Sequence, residues 1–475
     1  MNHDNPARAH RGDGSLTRHP AWMGLLLAAF GSLAVPVWGQ VAATSVAVAE
    51  PASAVRQDTT APASAQRLTL REAFEQALAA NRALESARAE LDVASAQKKA
   101  ALSLVLPKLA ISGNLTRNSA EVSFGSGEDA RTILPENDWA FRLTLNQPVF
   151  AGLREKRAYD QSKLGVESAR DGVRQSEDGA LLAAGEAYLA VVEADGLIDV
   201  EQRNLALAER RRSQAQAFLD AGETTRVDLL RAVADIKGVE RRLVVARQAR
   251  VAAEGRLRLA LAIESEVKVQ EPERAGPPLP DITTLLARAE SERPEVRRAE
   301  SAVRIATLEV LKQQGAYLPV VTAEAGYLKQ KREFPKEKYG YAALNFNVPI
   351  FQGGEIGARV ASARGRERQS QLALDQVRQQ VREEVRRELL GLEAARTALA
   401  LSEEQLQAAE AEYNQTFELY RGQEATTLDL QSAEAGLGEA RRAVLTSRLV
   451  TRLQEMRVWQ AAGSLKAAVF MEVVP

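Results

Sequence analysis

The chain has 475 residues and a formal net charge of −1; 45% of its residues are hydrophobic, but only 5% are aromatic. This balance of charge creates no bulk field that would attract nucleic acid or an anionic membrane surface, so we expect no nucleic-acid partner. There is no cysteine, which excludes disulfides and thiolate chemistry, and the three histidines are His3, His10 and His19.

The N-terminal segment, residues 1–39, has the layout of an export signal. Arg8, Arg11 and Arg18 precede an apolar stretch that ends in small residues suited to cleavage. A membrane-anchoring helix is the alternative, although Pro36 interrupts the stretch. Removal of the signal takes every histidine with it. The mature chain then lacks the usual side chains for zinc or copper sites and for nucleophile–base pairs, so we expect no metal, no cofactor and no enzyme activity.

Two similar halves make up the rest of the chain. After an N-terminal linker (residues 40–67), the first half covers residues 68–270 and the second covers residues 282–463. A Pro-rich linker (residues 271–281) joins the halves, and a short tail (residues 464–475) follows the second.

The same phrases recur in both halves at fixed spacing. NQPVFAG ends at Gly152 and NVPIFQG ends at Gly353, at an offset of 201. Pro107 and Pro319, each in a Leu-Pro motif, have the larger offset of 212, so the segment between the two motifs is longer in the first half. A period of this length is longer than that of solenoid repeats and predicts a duplicated structural unit.

Within each half the pattern predicts a helix, a β-hairpin, a very long helix, a turn and a last helix. The hairpins, residues 108–149 and 320–350, alternate apolar and polar residues, as strands with two different faces do. A soluble sheet packed on a core produces the same alternation. The residues assigned to the apolar, lipid-facing side are Phe141, Leu143, Leu145, Leu344 and Phe346.

The long helices indicate an extended molecule. No proline interrupts residues 152–219 or 353–419, and each run would span roughly 100 Å at 1.5 Å per residue. From Val385 to Tyr420 large side chains recur at every seventh position, which is typical of coiled coils. The predicted fold class is therefore mainly α with a small β part, in which long antiparallel coiled-coil helices carry four strands per chain.

The strands have about the 9–11 residues that a tilted membrane strand requires. A membrane barrel needs at least about eight strands, because open edges leave unpaired backbone groups in hydrocarbon. One chain supplies four. If the apolar face meets lipid, the sheet must close between subunits.

Proline and glycine mark the junctions between the hairpins and the long helices. Pro148 and Pro349 cannot donate to a strand ladder, so we expect them to end strand pairing. Gly152 and Gly353 permit the sharp redirection into the helix. A pair of ordinary Pro-Gly turns at a soluble sheet is the alternative.

Two aromatic residues and two further prolines complete these junctions. Phe150 and Phe351 are expected at the inner membrane edge, where aromatic side chains anchor. Pro107 and Pro319 mark the opposite junction, from the first helix of each half into its hairpin.

The turns that follow the long helices, near residues 222–228 and 422–429, also repeat and are called the lower turns. Each combines a Gly that stops one helix with a Thr three positions before an Asp, the pattern of a capping box that starts the next helix. The residues are Gly222, Thr225 and Asp228 in the first turn, and Gly422, Thr426 and Asp429 in the second.

These motifs, duplicated and in this order, make residues 68–463 resemble the outer-membrane efflux protein (TolC) family. The resemblance implies a homotrimer with a 12-stranded barrel in outer-membrane lipid, continued by a 12-helix α-barrel in the periplasm. It also implies a passive exit duct for a tripartite efflux pump or a type I secretion system. A periplasmic adaptor and an inner-membrane transporter would be the partners, and the transporter side would supply the energy.

The same resemblance puts the lower turns at the periplasmic tip. Three copies of Asp429 would ring the closed pore there, whereas Asp228 would lie off the axis. A purely capping role for Asp429 is the alternative, and Ser432 stands where some relatives carry a second Asp. Tyr420 and Arg421 are candidates for contacts that hold the tip closed.

The loops at the other end of the hairpins differ in charge. Ser119–Asp138 has five acidic residues and one Arg, a net charge of −4, whereas Lys329–Lys338 has five basic and two acidic residues, a net charge of +3. The two loops could attract each other over the mouth of the barrel. Binding of the basic loop to lipid phosphates is an equal alternative.

A soluble periplasmic coiled-coil adaptor, or a structural filament protein, is the competing function. Adaptors also have heptads and export signals, but they usually place one helical hairpin between β-rich domains. Two equivalent halves with short amphipathic strands favour the exit duct. The sequence does not select among drugs, metal ions, metabolites and polypeptides as cargo.

Overall fold

The computed structural model describes residues 67–125, 127, 131–271, 278–332 and 336–470. The predicted export signal lies outside these residues. The first half contains, in order, β1 (Arg67–Leu68), α1 (Leu70–Ala80), α2 (Arg82–Leu102), β2 (Lys108–Arg117), β3 (Val122–Phe124), β4 (Arg131–Leu134), β5 (Asn137–Ala151), α3 (Arg154–Asp220), α4 (Arg226–Leu261) and β6 (Lys268–Val269).

The second half repeats the main elements of the first: two short helices, a β-hairpin, a 67-residue helix and a shorter helix. It contains α5 (Ile282–Glu292), α6 (Pro294–Gln314), a 3₁₀ turn (Gly315–Tyr317), β7 (Val320–Gln330), β8 (Lys338–Asn347), α7 (Glu355–Arg421), α8 (Thr427–Ala461) and α9 (Leu465–Phe470). The two long helices, α3 and α7, have 67 residues each, and their first residues are related by the same offset as the two glycine-ended phrases. The fold class predicted from the sequence, mainly α with a small β part, is confirmed at this level.

The short helices of each half are divided at equivalent residues. Asn81 ends α1 and caps α2, because its side chain accepts hydrogen bonds from the Ala83 and Leu84 amides (2.9 and 3.2 Å). In the second half the division falls at the equivalent residue, Arg293, after which Pro294 starts α6. Proline suits the first helical position, since its missing N–H would have no partner there.

The hydrophobic core lies between the helices. One cluster packs α1, α3, α4 and α8 around Phe74, Tyr188 and Leu257, and another packs α5, α7 and α8 around Val385 and Leu392. Val385 and Leu392 belong to the heptad pattern seen in the sequence, which therefore faces α8. Burial of each such side chain contributes about 1.5–3 kcal/mol relative to its exposure. Among the helices of the described residues, none combines the length and apolarity needed to cross a membrane.

The strands form one four-stranded antiparallel sheet and two small pairs. The sheet order is β2-β5-β7-β8, so the two hairpins of the two halves lie side by side. The hairpin β3–β4 lies between β2 and β5 in the sequence. It accounts for the extra residues that the first half has between its two proline motifs. The parallel pair β1–β6 was not anticipated from the sequence. It is held by Tyr188, whose hydroxyl lies within hydrogen-bonding distance of the backbone oxygens of Leu68 and Gln270 and accepts from the Gln270 amide at 3.2 Å.

Candidate functional site

One face of the four-stranded sheet is apolar across all four strands. The pairing places Ile111, Leu143 and Tyr327 in one row across β2, β5 and β7, and Ala323 of β7 lies opposite Leu344 of β8. The opposite face is mostly polar. Its members include Ser112, Asn114, Arg142, Thr144, Asn146 and Asn345.

The apolar face is exposed in a single chain. Of the five residues assigned to it from the sequence, Leu145 is 42% exposed and Phe346 is 67% exposed, and Phe141, Leu143 and Leu344 fall between these values. Contiguous apolar surface of this kind is rare on soluble monomers and marks contact with lipid or another protein. The sheet therefore has a surface suited to hydrocarbon on one side and to water on the other.

The sheet has two open edges within the described residues, because β2 and β8 each pair on one side only. An open edge presents a row of unpaired backbone N–H and C=O groups. Such groups need a partner wherever water is excluded.

Each junction into a long helix uses two consecutive residues with left-handed backbone. These are Gly152 and Leu153 in the first half (φ 66° and 61°), and Gly353 and Gly354 in the second (φ 58° and 83°). A Cβ at Gly152 would lie 2.0 Å from the carbonyl oxygen of Gly315, so glycine is required there by close packing as well as by φ. At Gly353, apart from its chain neighbours, no atom of the described residues lies within 4 Å of such a Cβ.

The prediction that Pro148 ends strand pairing is wrong. β5 continues to Ala151, with Pro148 opposite Thr322, Phe150 opposite Val321 and an irregularity in register between them. An extra residue in one strand lets the ladder pass a position that has no N–H to donate. In the second half β8 ends at Asn347, before Pro349 is reached.

The remaining junction residues lie as follows. Phe150 is half-buried within β5, whereas Phe351 is 87% exposed. Pro107 and Pro319 each stand immediately before a strand, β2 and β7 respectively.

The lower turns differ from each other in two ways that the sequence did not reveal. In the first turn Gly222 has the left-handed backbone (φ 77°), but in the second turn Gln423 has it (φ 63°) and Gly422 does not. Gln423 is the second-half equivalent of Gly222, at offset 201. The left-handed residue therefore lies at the same distance from the start of the long helix in both halves.

The capping box predicted for both turns forms in the second only. The Asp429 amide donates to the Thr426 hydroxyl (3.2 Å), and the Thr426 amide donates to the Asp429 carboxylate (2.9 Å). In the first turn the Thr225 side chain makes no capping hydrogen bond, so that prediction is wrong for Thr225. Both Thr224 and Thr225 donate their hydroxyls to Asp228, at 3.0 and 2.7 Å.

Both turn carboxylates are held in the ionised form. Hydrogen bonds from the Thr426 side chain and backbone lower the pKa of Asp429, and those from Thr225 and Thr224 lower the pKa of Asp228. Asp429 is exposed, whereas Asp228 also lies 3.5 Å from Arg231 and has a side chain that is 21% exposed. Asp429 is thus the more exposed of the two turn carboxylates.

The two lower turns contact each other through residues that sequence reasoning mostly missed. Buried Tyr420 packs edge-on against Phe218, with ring centroids 5.6 Å apart, and Gln423 donates to Glu223 at 2.5 Å. Arg421 pairs with Glu418 of its own helix (3.2 Å). Of the two residues proposed to hold the tip, only Tyr420 is shown in contact with the first half.

At the other end of the sheet the acidic and basic loops meet. Arg332 donates twice to the buried carboxylate of Asp138, at 2.9 and 2.6 Å. Glu136 of the acidic loop also pairs with Arg117, at 3.3 Å. Attraction between the oppositely charged loops therefore acts within one chain, between β5 and β7.

Comparison with known proteins was consistent across sequence and structure. The family described as "Outer membrane efflux protein" matches residues 73–262 and 285–464, the two segments on either side of the Pro-rich linker. The outer membrane efflux protein BepC of Brucella suis biovar 1 is 26% identical over 379 residues, covering 78% of this chain and 79% of its own.

Two solved structures show the same fold. CusC superposes with a TM-score of 0.73 at 17% identity, covering 83% of this chain and 92% of its own. The outer membrane protein VceC of Vibrio cholerae superposes with a TM-score of 0.70 at 17% identity, covering 83% and 96%. The family match confirms the resemblance drawn from the sequence: the chain belongs to the outer membrane efflux protein family, whose members are outer-membrane channels and not enzymes.

Proposed function

We propose that this chain, as a homotrimer, forms the exit duct through the outer membrane for a tripartite efflux pump or a type I secretion system. The duct is passive, and a periplasmic adaptor and an inner-membrane transporter work with it. The observation that carries the proposal is the four-stranded sheet with an exposed apolar face and two open edges. Three such sheets, joined edge to edge, make a closed barrel of 12 strands, and the long helices continue it into the periplasm.

The internal repeat specifies how the edges join. β8 is the second-half equivalent of β5, at offset 201, and β2 is the first-half equivalent of β7, at offset 212. The β5–β7 pairing inside one chain is therefore the template for the pairing of β8 with β2 of the partner subunit. Leu143 lies opposite Tyr327 within the chain, so the template places Leu344 opposite Leu115 of the partner subunit.

This register, which follows from the β5–β7 pairing without reference to side-chain polarity, keeps the apolar faces continuous between subunits. It sets Phe346 opposite Gly113 of the partner subunit and Val348 opposite Ile111 of the partner subunit. A shift of one residue would place apolar side chains beside polar ones on both faces of the barrel. The polar face pairs Asn345 with Asn114 of the partner subunit.

The junctions and helices support the same arrangement. Gly152 packs on Gly315 within the chain, and the equivalent Gly353 has open space around it; the template fills that space with Ser103 of the partner subunit. Exposed Val244 on α4 is the equivalent of Leu445 on α8, which packs against Gly196 of α3. Val244 therefore faces α7 of a neighbouring subunit.

Cross-linking in a chain that has no native cysteine tests both the assembly and the register. We expect the double variant Asn345→Cys with Asn114→Cys to form covalent dimers and trimers in outer membranes treated with a short thiol cross-linker, because side chains opposite each other in a ladder are about 5 Å apart. Non-reducing gel electrophoresis of the membrane fraction gives the readout.

Asn345→Cys with Ala110→Cys is the matched control. Position 110 lies on the same face of β2 but four positions away, about 13 Å along the strand, so cross-linking is expected to be much weaker. Equal or stronger cross-linking of the control pair would refute the register. A monomer recovered in the soluble periplasmic fraction would refute the duct and favour the adaptor.

A further inference from the structure

Two carboxylates share one buried guanidinium close to the lower turns. Arg211 on α3, whose side chain is 3% exposed, lies 2.7 Å from Asp235 on α4 and 2.9 Å from Glu434 on α8. One guanidinium neutralises one carboxylate, so full ionisation leaves a surplus negative charge in a poorly hydrated site. These three residues are called the Arg211 triad.

Of the two carboxylates, Glu434 has the weaker interaction with Arg211. Arg211 donates a hydrogen bond to Asp235, whereas its Nη1 lies near Glu434 without the direction that a hydrogen bond requires. The Glu434 side chain is also the more buried of the two, at 11% exposed against 29% for Asp235. The surplus charge is therefore removed most readily by a proton on Glu434.

The electrostatic surroundings of Glu434 agree with this assignment. Burial raises the pKa of Glu434 to about 7 in spite of the opposing charge of Arg211, and Asp235 adds to the increase. From α7, Tyr413 faces the same carboxylate, and burial together with Glu434 raises the pKa of that phenol. Glu434 thus meets Arg211 on α3, Asp235 on α4 and Tyr413 on α7. Arg210 on α3 and Arg441 on α8 also act on the Tyr413 phenol, and both oppose the increase in its pKa.

The triad joins the two helical hairpins near their tips. α3 and α4 form the first hairpin, and α7 and α8 form the second. Glu434 follows Asp429 by little more than one helical turn. It therefore lies farther from the lower turns than the tip contacts Phe218–Tyr420 and Glu223–Gln423 do. Separation of the hairpin tips must break the contact between Arg211 and Glu434.

A second ionic cluster, also between α3 and α8, has the opposite balance of charge. Glu201, whose side chain is 5% exposed, accepts from Arg242 on α4 (3.1 Å) and from Arg442 on α8 (2.9 Å). Two guanidiniums for one carboxylate leave no surplus negative charge. Glu201 therefore provides an internal control for the effect of charge balance.

We propose that Glu434 is a proton-binding residue of the tip: its protonated form holds the two hairpins together, and its ionisation favours their separation. The inference rests on the proposed function only in its last step, in which separated tips open the duct. In the separated state Glu434 is solvated, and its pKa returns toward the ordinary 4.5.

The direction of the pH effect follows from linkage. The packed tip binds the proton more tightly than the separated tip, so falling pH favours packing. This stabilisation is complete below about pH 4.5 and is lost as pH rises through about 7. Neutral and alkaline conditions therefore favour the open tip, and acid favours the closed tip.

The test measures the tip distance directly in the purified full-length protein. Spin labels are attached at Asp220→Cys and Glu424→Cys, two exposed positions beside the tip contacts, and labelled subunits are diluted with unlabelled ones. We expect one short distance at pH 5 and a longer population at pH 8, with a midpoint below about pH 7. Conductance of the unlabelled protein in planar bilayers is recorded at the same pH values.

Three variants identify the cause. Glu434→Gln, which mimics the protonated form, is expected to keep the short distance at both pH values. Asp235→Asn leaves one carboxylate for one guanidinium and removes the repulsion that raises the pKa of Glu434, so the midpoint should move to lower pH. Glu201→Gln, at the oppositely balanced cluster, should leave the midpoint unchanged.

The outcomes separate this inference from the proposed function. A wild-type distance that does not change with pH, a longer distance in acid, or an unaltered response in Glu434→Gln and Asp235→Asn would overturn the proton-binding role. If the distance responds as expected and no conductance is found, the Arg211 triad remains a proton-linked joint and the exit duct is refuted. Conductance without any change in distance would support the exit duct and overturn the proton-binding role of Glu434.

Discussion

Replacing Leu143 with Arg is expected to prevent assembly in the outer membrane. Leu143 lies in the middle of β5 on the apolar face, with Ile111 and Tyr327 on either side, and it is 43% exposed. An Arg on a lipid-facing strand position costs about 2–4 kcal/mol at the bilayer midplane. With one copy in each of three chains, the cost is incurred three times per barrel. Heat-resistant oligomer in the outer-membrane fraction, measured by immunoblot, should fall to background.

The adjacent residue supplies the matched control. Thr144 is on the opposite, polar face of the same strand, where a barrel holds water, so Thr144→Arg should assemble at close to wild-type yield. Phe346→Arg on β8 repeats the test in the second half and should behave as Leu143→Arg does. Normal oligomers from both apolar-face variants would mean that this face does not contact lipid.

Replacing Asp429 with Asn is expected to weaken block of the pore by divalent and trivalent cations added on the periplasmic side, by about tenfold or more. In the proposed trimer three copies of this exposed carboxylate approach one axis, within the Debye length of about 8 Å at physiological salt, and concentrate cations there. Asn retains the oxygen that accepts the Thr426 amide, so the start of α8 should remain intact.

Asp228→Asn is the control for this prediction, because its carboxylate is bound by both Thr224 and Thr225. It should leave cation block close to wild type. The hydrogen bonds of Thr426 lower the pKa of Asp429, so the negative charge is present above the ordinary pKa and is lost only at lower pH. Equal loss in both variants, or loss in neither, would leave Asp429 as a helix cap only.

Sequence patterns predicted what depends on neighbours along the chain. The period-two alternation of residues 139–145 and the heptad spacing from Val385 predicted strands with an apolar face and a helix seam, since each pattern is local. The failures come from non-local causes. A register irregularity carries β5 past Pro148 because β7 lies beside it, and no local rule reveals that neighbour.

The lower turns show the same limit of prediction from local sequence patterns. Gln423, at the position equivalent to Gly222, adopts left-handed backbone, although Gly422 stands next to it and carries the stronger local signal. The Arg211 triad depends on α3 and α8 coming together although they belong to different halves of the chain. Nothing in the spacing of Arg211, Asp235 and Glu434 distinguishes them from the many charged residues on the exposed faces of these helices.

The equality of the two 67-residue helices limits how this chain can change in length. α3 and α7 both run from the sheet to the lower turns, and both tips must reach the same level to make the contact between Phe218 and Tyr420. An insertion of one heptad in one helix would preserve its heptad face but lower its tip by about 10 Å. A deletion of one residue would rotate every side chain beyond it by about 100°. A longer or shorter pair of helical hairpins therefore requires matched changes in both halves of the gene.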